Sequence, residues 1–387
     1  MKPLPENLRS LLRQRVHNID TPALVVDLDA MDRNLQRMAD FARKHQIRWR
    51  PHAKMHKSTE LALMMVEAGA SGVCVQKTSE AEAMANGGVR NIFITNEVVS
   101  QAKLSRVAQL AASLAERGGL LSITVDNAEG IRRLAEAMAG HSTGIQVFVE
   151  IDVGQGRCGV APGEPAVALL QEMKKHPALR FGGLQAYHGK AQHFRTVQER
   201  SDAIAQAVRD VRLTIERLQA AGFDVPLVTG AGTGTFAHEA ASGAYGELQP
   251  GSFLFMDADY AQNERDPAQP PFEHALFVKT QVISVSPGHV VCDAGHKSHA
   301  IDSGLPRVHA LEPGRDLEYF NGGDEHGILR TANGNDRLPL LGRFLWLIPG
   351  HCDPTVNLHD FIIGVRGGLT QGTVDRIIRV DARGALT

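Results

Sequence analysis

The 387-residue sequence has few cysteines, few aromatic residues and no excess of either charge. Its four cysteines are scattered without a Cys-x-x-Cys pair, which argues against a disulfide framework and against a zinc ribbon. Lysine and arginine number 41 and aspartate and glutamate 43, so the formal net charge of −2 offers no basic surface for nucleic acid or anionic lipid. We therefore expect neither nucleic acid nor a membrane as a partner.

Long apolar runs are also missing. No stretch of about 18 apolar residues predicts a membrane span, and the polar segment 1–15 has no apolar core of a secretory signal. With 43% hydrophobic and 22% charged residues, the composition is typical of a globular protein and excludes a largely disordered chain. These features together predict a soluble, cytoplasmic protein.

Apolar segments rich in β-branched residues alternate with amphipathic segments over the first two thirds of the chain. The predicted strands lie at 23–28, 47–52, 72–76, 91–95, 122–126, 146–151, 181–187, 227–230 and 247–255. Such alternation predicts βαβ units and a parallel sheet. A (β/α)8 barrel needs eight strands, so one of the nine must lie outside. We choose the first, because it precedes the first full helix.

From about residue 273 the pattern changes to short strands separated by turns rich in glycine, proline and aspartate. These strands are predicted at 275–285, 289–293, 343–348, 361–365 and 373–380. Short strands with such turns indicate an antiparallel β domain. The predicted fold class is therefore α/β, a (β/α)8 barrel of the TIM type plus a C-terminal antiparallel β domain. We assign 20–30 to an N-terminal strand that joins the β domain, 31–265 to the barrel and 272–387 to the β domain.

A cluster of basic residues, Arg50-Pro-His-Ala-Lys-Met-His-Lys57, follows the second predicted strand. Active sites of such barrels lie at the carboxyl ends of the strands. A lysine there, in a pocket poor in water, can have its pKa lowered and become an imine-forming nucleophile. Lys54 is the candidate, whereas Lys57 is expected in the following helix and exposed. The alternative is a solvated Lys/His cluster that opens a helix.

The glycine-rich segment Val228-Thr-Gly-Ala-Gly-Thr-Gly-Thr235 follows a late strand. The backbone N–H groups of such a turn can hold a phosphate, and in barrels phosphate commonly lies beyond strands 7 and 8. With the first strand outside, this segment follows strand 7, and Gln249-Pro-Gly-Ser252 belongs to strand 8. The spacing does not fit a dinucleotide fingerprint. A plain Gly/Thr loop remains the alternative.

A third motif, Pro349-Gly-His-Cys-Asp-Pro354, pairs His351 with Asp353. In an extended segment residues i and i+2 share a face, so both could reach one divalent ion while Cys352 points away. Mixed nitrogen and oxygen ligands suit Mn²⁺, Mg²⁺, Co²⁺ or Zn²⁺. A turn with a hydrogen-bonded histidine is the alternative.

Further polar residues follow other strands of the predicted barrel. Arg157 lies in a glycine-rich loop and could contact an anion, and Tyr187, His188 and His193 follow the next strand, where one histidine could be a general base. Each of them could equally be structural. Taken together, a lysine, a phosphate-binding turn, an arginine and histidines meet at one barrel face. A lysine plus a phosphate site is what pyridoxal phosphate requires.

Eight motifs spread over residues 20–384 resemble those of the D-threonine aldolase and D-serine dehydratase-like family, fold-type III pyridoxal phosphate enzymes related to alanine racemase. They are Thr21-Pro-Ala-Leu-Val-Val-Asp-Leu-Asp29, Pro51-His-Ala-Lys-Met-His-Lys57, Val75-Gln-Lys-Thr-Ser-Glu80, Val153-Gly-Gln-Gly-Arg-Cys-Gly159, Leu184-Gln-Ala-Tyr-His-Gly189, Gly230-Ala-Gly-Thr-Gly-Thr235, Asp324-Glu-His-Gly327 and Gly350-His-Cys-Asp-Pro-Thr355. The resemblance implies an alanine racemase-like barrel, a β domain that includes the N-terminal strand, and a homodimer.

The resemblance also implies residue roles. Lys54 would bind pyridoxal phosphate as an imine, His351 and Asp353 would bind a divalent metal, Mn²⁺ first among the candidates, and His193 would be the base at the substrate hydroxyl. The cofactor-binding residues would be Lys54, Arg157, Tyr187, Gly232, Thr233, Gly234, Gln249, Gly251 and Ser252. Gln249 stands where racemases carry an arginine facing the pyridine nitrogen, which leaves open the group that faces this atom.

The implied reaction is retro-aldol cleavage of a D-3-hydroxy amino acid, such as D-threonine, to glycine and an aldehyde. Close alternatives are a D-3-hydroxyaspartate aldolase, which gives glyoxylate, and D-serine or D-threo-3-hydroxyaspartate dehydratases, which carry out β-elimination. Dehydratases of this family tend to carry His-x-Cys at the metal, so Asp353 favours the aldolase. A non-catalytic pyridoxal phosphate carrier would lack the C-terminal β domain and the metal pair, and the glycine spacing argues against a nicotinamide dehydrogenase.

Overall fold

The computed structural model describes residues 4–309, 316–332 and 337–387. Strands and helices are numbered in chain order. The first strand, β1 (Ala23–Asp27), leads directly into a helix, because the Asp27 side chain accepts hydrogen bonds from the backbone N–H groups of Asp29 and Ala30. This helix is followed by eight short strands and the helices between them.

The eight strands form one parallel sheet in the order β2-β9-β8-β7-β6-β5-β4-β3. Its members are β2 (Arg48–Trp49), β3 (Val73–Val75), β4 (Asn91–Glu97), β5 (Leu120–Val125), β6 (Ile145–Glu150), β7 (Leu179–Ala186), β8 (Val228–Gly230) and β9 (Glu247–Leu248). The ends of the sheet meet, because the N–H of Ser71 donates to the carbonyl of Trp49 at 2.8 Å and that of Cys74 to Pro51 at 2.9 Å. The predicted barrel is thereby confirmed.

Helices cover the outside of the barrel and the ends of the chain. They are α1 (Glu6–Arg9), α2 (Leu28–Lys44), α3 (Thr59–Glu67), α4 (Thr78–Asn86), α5 (Gln101–Glu116), α6 (Ala128–Met138), α7 (Glu164–Met173), α8 (Val197–Ala220), α9 (Phe236–Ser242), α10 (Cys352–Val356) and α11 (Gly368–Gln371). The longest, α8, begins with a capping box in which the side chains of Thr196 and Glu199 bond each other's backbone N–H. No helix in the described part of the chain is long and apolar enough to cross a membrane.

A second, largely antiparallel sheet of nine strands contains β1 and the C-terminal strands. These are β10 (Leu276–Ser286), β11 (His289–Cys292), β12 (Arg307–Val308), β13 (Leu317–Asn321), β14 (Gly327–Thr331), β15 (Phe344–Ile348), β16 (Phe361–Arg366) and β17 (Thr373–Arg379). Strand β1 lies between β10 and β16, so the first of the nine predicted strands is indeed outside the barrel.

The structure departs from the predicted strands in three main places, the first being 47–52, which is a strand only in β2. The segment predicted as strand 247–255 is a strand only in β9, because a 3-10 turn, Ser252–Leu254, follows the glycine of the 249–252 motif. The short strands β12, β13 and β14 were not predicted at all.

Two large apolar clusters hold the molecule together. One fills the space between the barrel strands and helices α4 to α8, and includes Val147 and Leu184. The other joins α2 and the turn around Phe253 to the second sheet at Leu276 and Leu347. Because the barrel side and the second sheet both contribute to this cluster, the C-terminal sheet is fixed against the barrel. The loop after β15 then lies over the barrel mouth.

Candidate active site

A cavity of about 400 Å³ opens at the carboxyl ends of the barrel strands. The site residues expected from the sequence line it, except Gly234 and the alternative base His188: Lys54, Arg157, Tyr187, His193, Gly232, Thr233, Gln249, Gly251, Ser252, His351 and Asp353. Six segments of the chain therefore contribute these residues to one chamber. The cavity also contains His52, Gln76, Lys77 and Tyr260, to which no role was assigned from the sequence.

Lys54 lies in a 3-10 turn directly after β2. The turn is held by His52, whose Nδ1 accepts the N–H of Lys54 at 3.3 Å. The Nζ of Lys54 lies 3.6 Å from Oδ2 of Asp353. Burial lowers the pKa of the Lys54 ammonium, but the Asp353 carboxylate more than offsets this, so the net shift is upward. The direction of this shift is opposite to the one expected from a pocket poor in water.

His351 and Asp353 lie at the start of α10, where His351 is the extended N-cap residue and the helix begins at Cys352. The two side chains still meet, with Nε2 of His351 3.6 Å from Oδ1 of Asp353. Cys352 is fully buried, with its thiol 3.4 Å from Asp353 Oδ1. The prediction of an extended segment is therefore wrong, because of His351, Cys352 and Asp353 only His351 is extended. The two predicted ligands nevertheless line the same cavity with their donor atoms close together.

His193 approaches the cavity from the turn after β7. Its Nδ1 lies 2.6 Å from Oδ2 of Asp259, and this hydrogen bond, with help from Arg195, lowers the pKa of Asp259 to about 2. An ionised carboxylate can only accept, so Nδ1 carries the proton of the neutral ring. The Nε2 of His193 is left as the acceptor.

The glycine-rich turn after β8 packs against the turn after β9, because the N–H of Phe253 donates to Oγ1 of Thr233 at 3.0 Å. Among the hydrogen bonds of the described residues, none uses the backbone N–H of Gly232, Thr233 or Ser252 as donor. These groups are therefore available to an anion. A Cβ on Gly232 would lie 2.5 Å from the Gln192 side chain, so the turn requires glycine there.

Gly234 differs from its neighbours. Its N–H donates to Oε1 of Gln192 at 2.9 Å, and a Cβ would lie 2.6 Å from the Gln192 carbonyl oxygen. It therefore packs against the buried Gln192 side chain, and its N–H is not free to bind phosphate.

The floor of the cavity is polar and uncharged. Gln249 and Gln185 form a double amide hydrogen bond at 3.1 and 2.9 Å, and Gln249 Nε2 also lies 2.8 Å from Oγ1 of Thr229. Nearby, burial keeps the pKa of His52 well below its usual value, so that ring stays neutral. Arg157 and Tyr187 complete the wall, and burial raises the pKa of the Tyr187 phenol.

Lys57 is neither helical nor exposed, contrary to expectation. Its backbone has φ of 52° just before α3, and its Nζ makes a buried ion pair with Oε1 of Glu80 at 2.6 Å. Sequence reasoning also missed Asp257 and Asp259, the carboxylates that bond His351 and His193. The available signal was the Asp-x-Asp spacing directly after the strand-8 motif.

Comparison with known proteins identifies the family of this chain. The alanine racemase N-terminal domain family matches residues 26–259, and a serine dehydratase domain family matches residues 275–365. A D-threonine aldolase of Arthrobacter sp. is 44% identical over 95% of this chain and 93% of its own length. The chain belongs to the D-threonine aldolase and D-serine dehydratase-like family.

Two further proteins agree with this assignment. A 3-hydroxy-D-aspartate aldolase of Paracoccus denitrificans (strain Pd 1222) is 41% identical over 95% of this chain and 92% of its own length. The crystal structure of D-threonine aldolase from Filomicrobium marinum is 46% identical, covers 97% of this chain and 99% of its own, and superposes with a TM-score of 0.91. The predictions of the family, the fold and an aldolase-type lyase are thereby confirmed.

Proposed function

We propose that this chain is a pyridoxal phosphate- and divalent metal-dependent aldolase that cleaves D-3-hydroxy amino acids, D-threonine among them, to glycine and an aldehyde. The observation that carries the proposal is the meeting of the barrel lysine with the metal-ligand pair, at 3.6 Å between Lys54 Nζ and Asp353 Oδ2. The two aldolases that are 44% and 41% identical support the reaction class.

The cavity residues fit pyridoxal phosphate. The free backbone N–H groups of the turns after β8 and β9 suit its phosphate, and Lys54 would bind it covalently. Arg157 would contact the oxygen on its ring. When bound, the cofactor supplies an electron sink for the electron pair that remains on Cα when the Cα–Cβ bond breaks.

The donor atoms at α10 fit a hard divalent ion. His351 offers Nε2 and Asp353 offers a carboxylate. These two ligands together leave coordination positions open for substrate and water. We propose Mn²⁺ as the ion, with Mg²⁺, Co²⁺ and Zn²⁺ as alternatives. When bound, it lowers the pKa of a coordinated hydroxyl group.

The chain's own acid–base group is His193. Its Nε2 would take the proton of the substrate β-hydroxyl as the Cα–Cβ bond breaks. Because 48% of the His193 side chain is exposed, the proton can pass to solvent afterwards. Tyr187 and Tyr260 also line the cavity and would limit the access of water to the reacting carbon.

Product analysis tests the proposal. The holoenzyme is incubated with D-threonine and Mn²⁺, with and without EDTA. We expect glycine plus acetaldehyde, lost on chelation and restored by added Mn²⁺. Ammonia plus 2-oxobutyrate would instead show a dehydratase and would contradict the argument from Asp353.

A second candidate substrate is D-3-hydroxyaspartate. Lys77 lines the cavity and carries a cationic side chain. Such a cation could bind the additional carboxylate of this substrate. We expect Lys77→Met to reduce kcat/KM for D-3-hydroxyaspartate by roughly tenfold or more, an effect worth about 1.4 kcal/mol, with a smaller change for D-threonine. Equal losses for both substrates would argue against a side-chain contact.

We also propose a cytoplasmic homodimer, with domain boundaries at 20–30, 31–265 and 272–387. Sedimentation equilibrium measures the oligomeric state directly, and a monomer at all concentrations would contradict this part of the proposal. Limited proteolysis with mass analysis of the fragments tests the boundaries.

A further inference from the structure

The segment from Asp257 to Asp259 contacts both histidines of the candidate active site. It follows the turn after β9 and runs beside the loop that leads to α10. The N–H of Ala258 donates to the carbonyl of Pro349 at 2.9 Å, and that of Asp259 to Gly350 at 3.0 Å. These two bonds fix the segment against the loop just before His351.

Asp257 is fully buried, and its carboxylate is occupied by three hydrogen bonds. Oδ2 lies 2.7 Å from Nδ1 of His351 and accepts the N–H of Cys352 at 3.0 Å, while Oδ1 accepts the N–H of Tyr260 at 2.9 Å. The side chain does not line the cavity. Its side-chain contact with a cavity residue is therefore the one with the ring of His351, and its other two bonds hold the backbone of Cys352 and Tyr260.

Asp259 stands in the same relation to His193. Its Oδ2 lies 2.6 Å from Nδ1 of that ring, and its Oδ1 lies 2.6 Å from Nη2 of Arg195. The His193 and Arg195 hydrogen bonds lower the pKa of Asp259 to about 2, so the carboxylate remains ionised at working pH. Two carboxylates two residues apart thus each bond the Nδ1 of one histidine.

We propose that Asp257 and Asp259 are positioning residues that together set the tautomers of His351 and His193, with the proton on Nδ1 and the lone pair of Nε2 facing the cavity. A neutral imidazole carries one N–H, and the carboxylate that accepts it decides which nitrogen is free. The inference rests on the proposed roles of His351 as metal ligand and His193 as base.

A different arrangement would make Asp257 a direct ligand, since donor atoms of Asp257, His351 and Cys352 lie within 4.8 Å of one another. Neither Asp257 nor Cys352 lines the cavity, and both side chains are fully buried. Asp353, by contrast, lines the cavity on the Nε2 side of His351. The ion therefore belongs on that side, with Asp257 behind the ring.

The test compares Asp257→Asn, Asp259→Asn and the control Asp266→Asn in the holoenzyme. Asp266 is a matched control because it is also buried and lies 3.3 Å from a histidine, His238, outside the cavity. We expect D257N to weaken Mn²⁺ binding about 10- to 100-fold, measured from the electron paramagnetic resonance signal of free Mn²⁺, with the cofactor absorbance unchanged. We expect D259N to lower kcat at unchanged Mn²⁺ affinity, and D266N to change neither.

A direct readout needs no variant. In the Mg²⁺-loaded wild type, two-bond ¹H–¹⁵N spectra should place the proton on Nδ1 in both His351 and His193. A proton on Nε2 of either ring, or D257N with wild-type Mn²⁺ affinity, would overturn the proposal. Cys352→Ser weakening Mn²⁺ as much as D257N would also overturn it in favour of direct ligation. If His351→Ala leaves Mn²⁺ binding intact, the proposed function itself fails at its metal site.

Discussion

The Nζ of Lys54 lies 3.6 Å from a carboxylate oxygen of Asp353, which brings a barrel residue and a residue of the loop after β15 into contact. Lys54 follows a barrel strand, whereas Asp353 follows a strand of the second sheet. The site therefore exists only when the second sheet packs against the barrel. The apolar cluster shared by α2, the turn around Phe253 and the C-terminal strands keeps the sheets in that position. The geometry of the active site therefore depends on how the two domains pack together.

The first prediction separates the two halves of the site. Lys54→Ala should abolish the visible absorbance band of protein-bound pyridoxal phosphate, because Lys54 is the amine proposed to bind the cofactor covalently. Asp353→Ala should keep the band but reduce turnover to that of the metal-free wild type. Lys44→Ala, at the exposed end of α2, is the control. An unchanged spectrum in the Lys54 variant would disprove the cofactor assignment.

The second prediction concerns the pH dependence of metal binding. Burial lowers the pKa of His351, but the hydrogen bond to Asp257 and the charge of Asp353 outweigh burial and raise this pKa to about 9. An imidazolium cannot coordinate a metal, so binding must release this proton. The Kd for Mn²⁺ should therefore fall by roughly tenfold per pH unit from pH 6 towards 9. Calorimetry in buffers of different ionisation enthalpy measures the released proton, and binding without proton release would contradict the prediction.

Periodicity predicted the barrel well, because its strands are buried on both faces and read as continuous apolar segments. It failed for β13 and β14, each with only one or two buried residues, whose apolar pattern is too weak to mark a strand. Lys57 was misjudged because its burial depends on Glu80, which is 23 residues away. Asp257 and Asp259 bond histidines 94 and 66 residues away, and their Asp-x-Asp spacing does not indicate those partners.

The third prediction concerns stability. Burial and the neighbouring Glu97 carboxylate raise the pKa of Glu150 to about 9. The folded state thus holds this proton more tightly than the unfolded state, so the stabilisation is complete below the unfolded value of about 4.5 and is lost as the pH rises towards 9. Glu150→Gln should remove this loss and unfold at a higher urea concentration than the wild type at pH 9. Glu116→Gln, at the exposed end of α5, should show the wild-type pH dependence.

The fourth prediction concerns the buried pair of Lys57 and Glu80, whose side chains are 8% and 4% exposed. Lys57→Met leaves the Glu80 carboxylate buried without its cation, and should cost about 3–5 kcal/mol in the free energy of unfolding. The double variant Lys57→Met/Glu80→Gln should cost less than the sum of the single variants. Urea denaturation measures all three, and strict additivity would show that the two groups do not interact.

In the proposed reaction the Cα–Cβ bond breaks while the Cα–H bond stays intact. The most direct test is turnover of D-threonine deuterated at Cα by the Mn²⁺-loaded holoenzyme, followed by mass analysis of the amino acid product. Retro-aldol cleavage predicts glycine that retains the deuterium and gains one solvent proton in place of the lost side chain. Loss of the deuterium together with release of ammonia would mean β-elimination, and would contradict an aldolase.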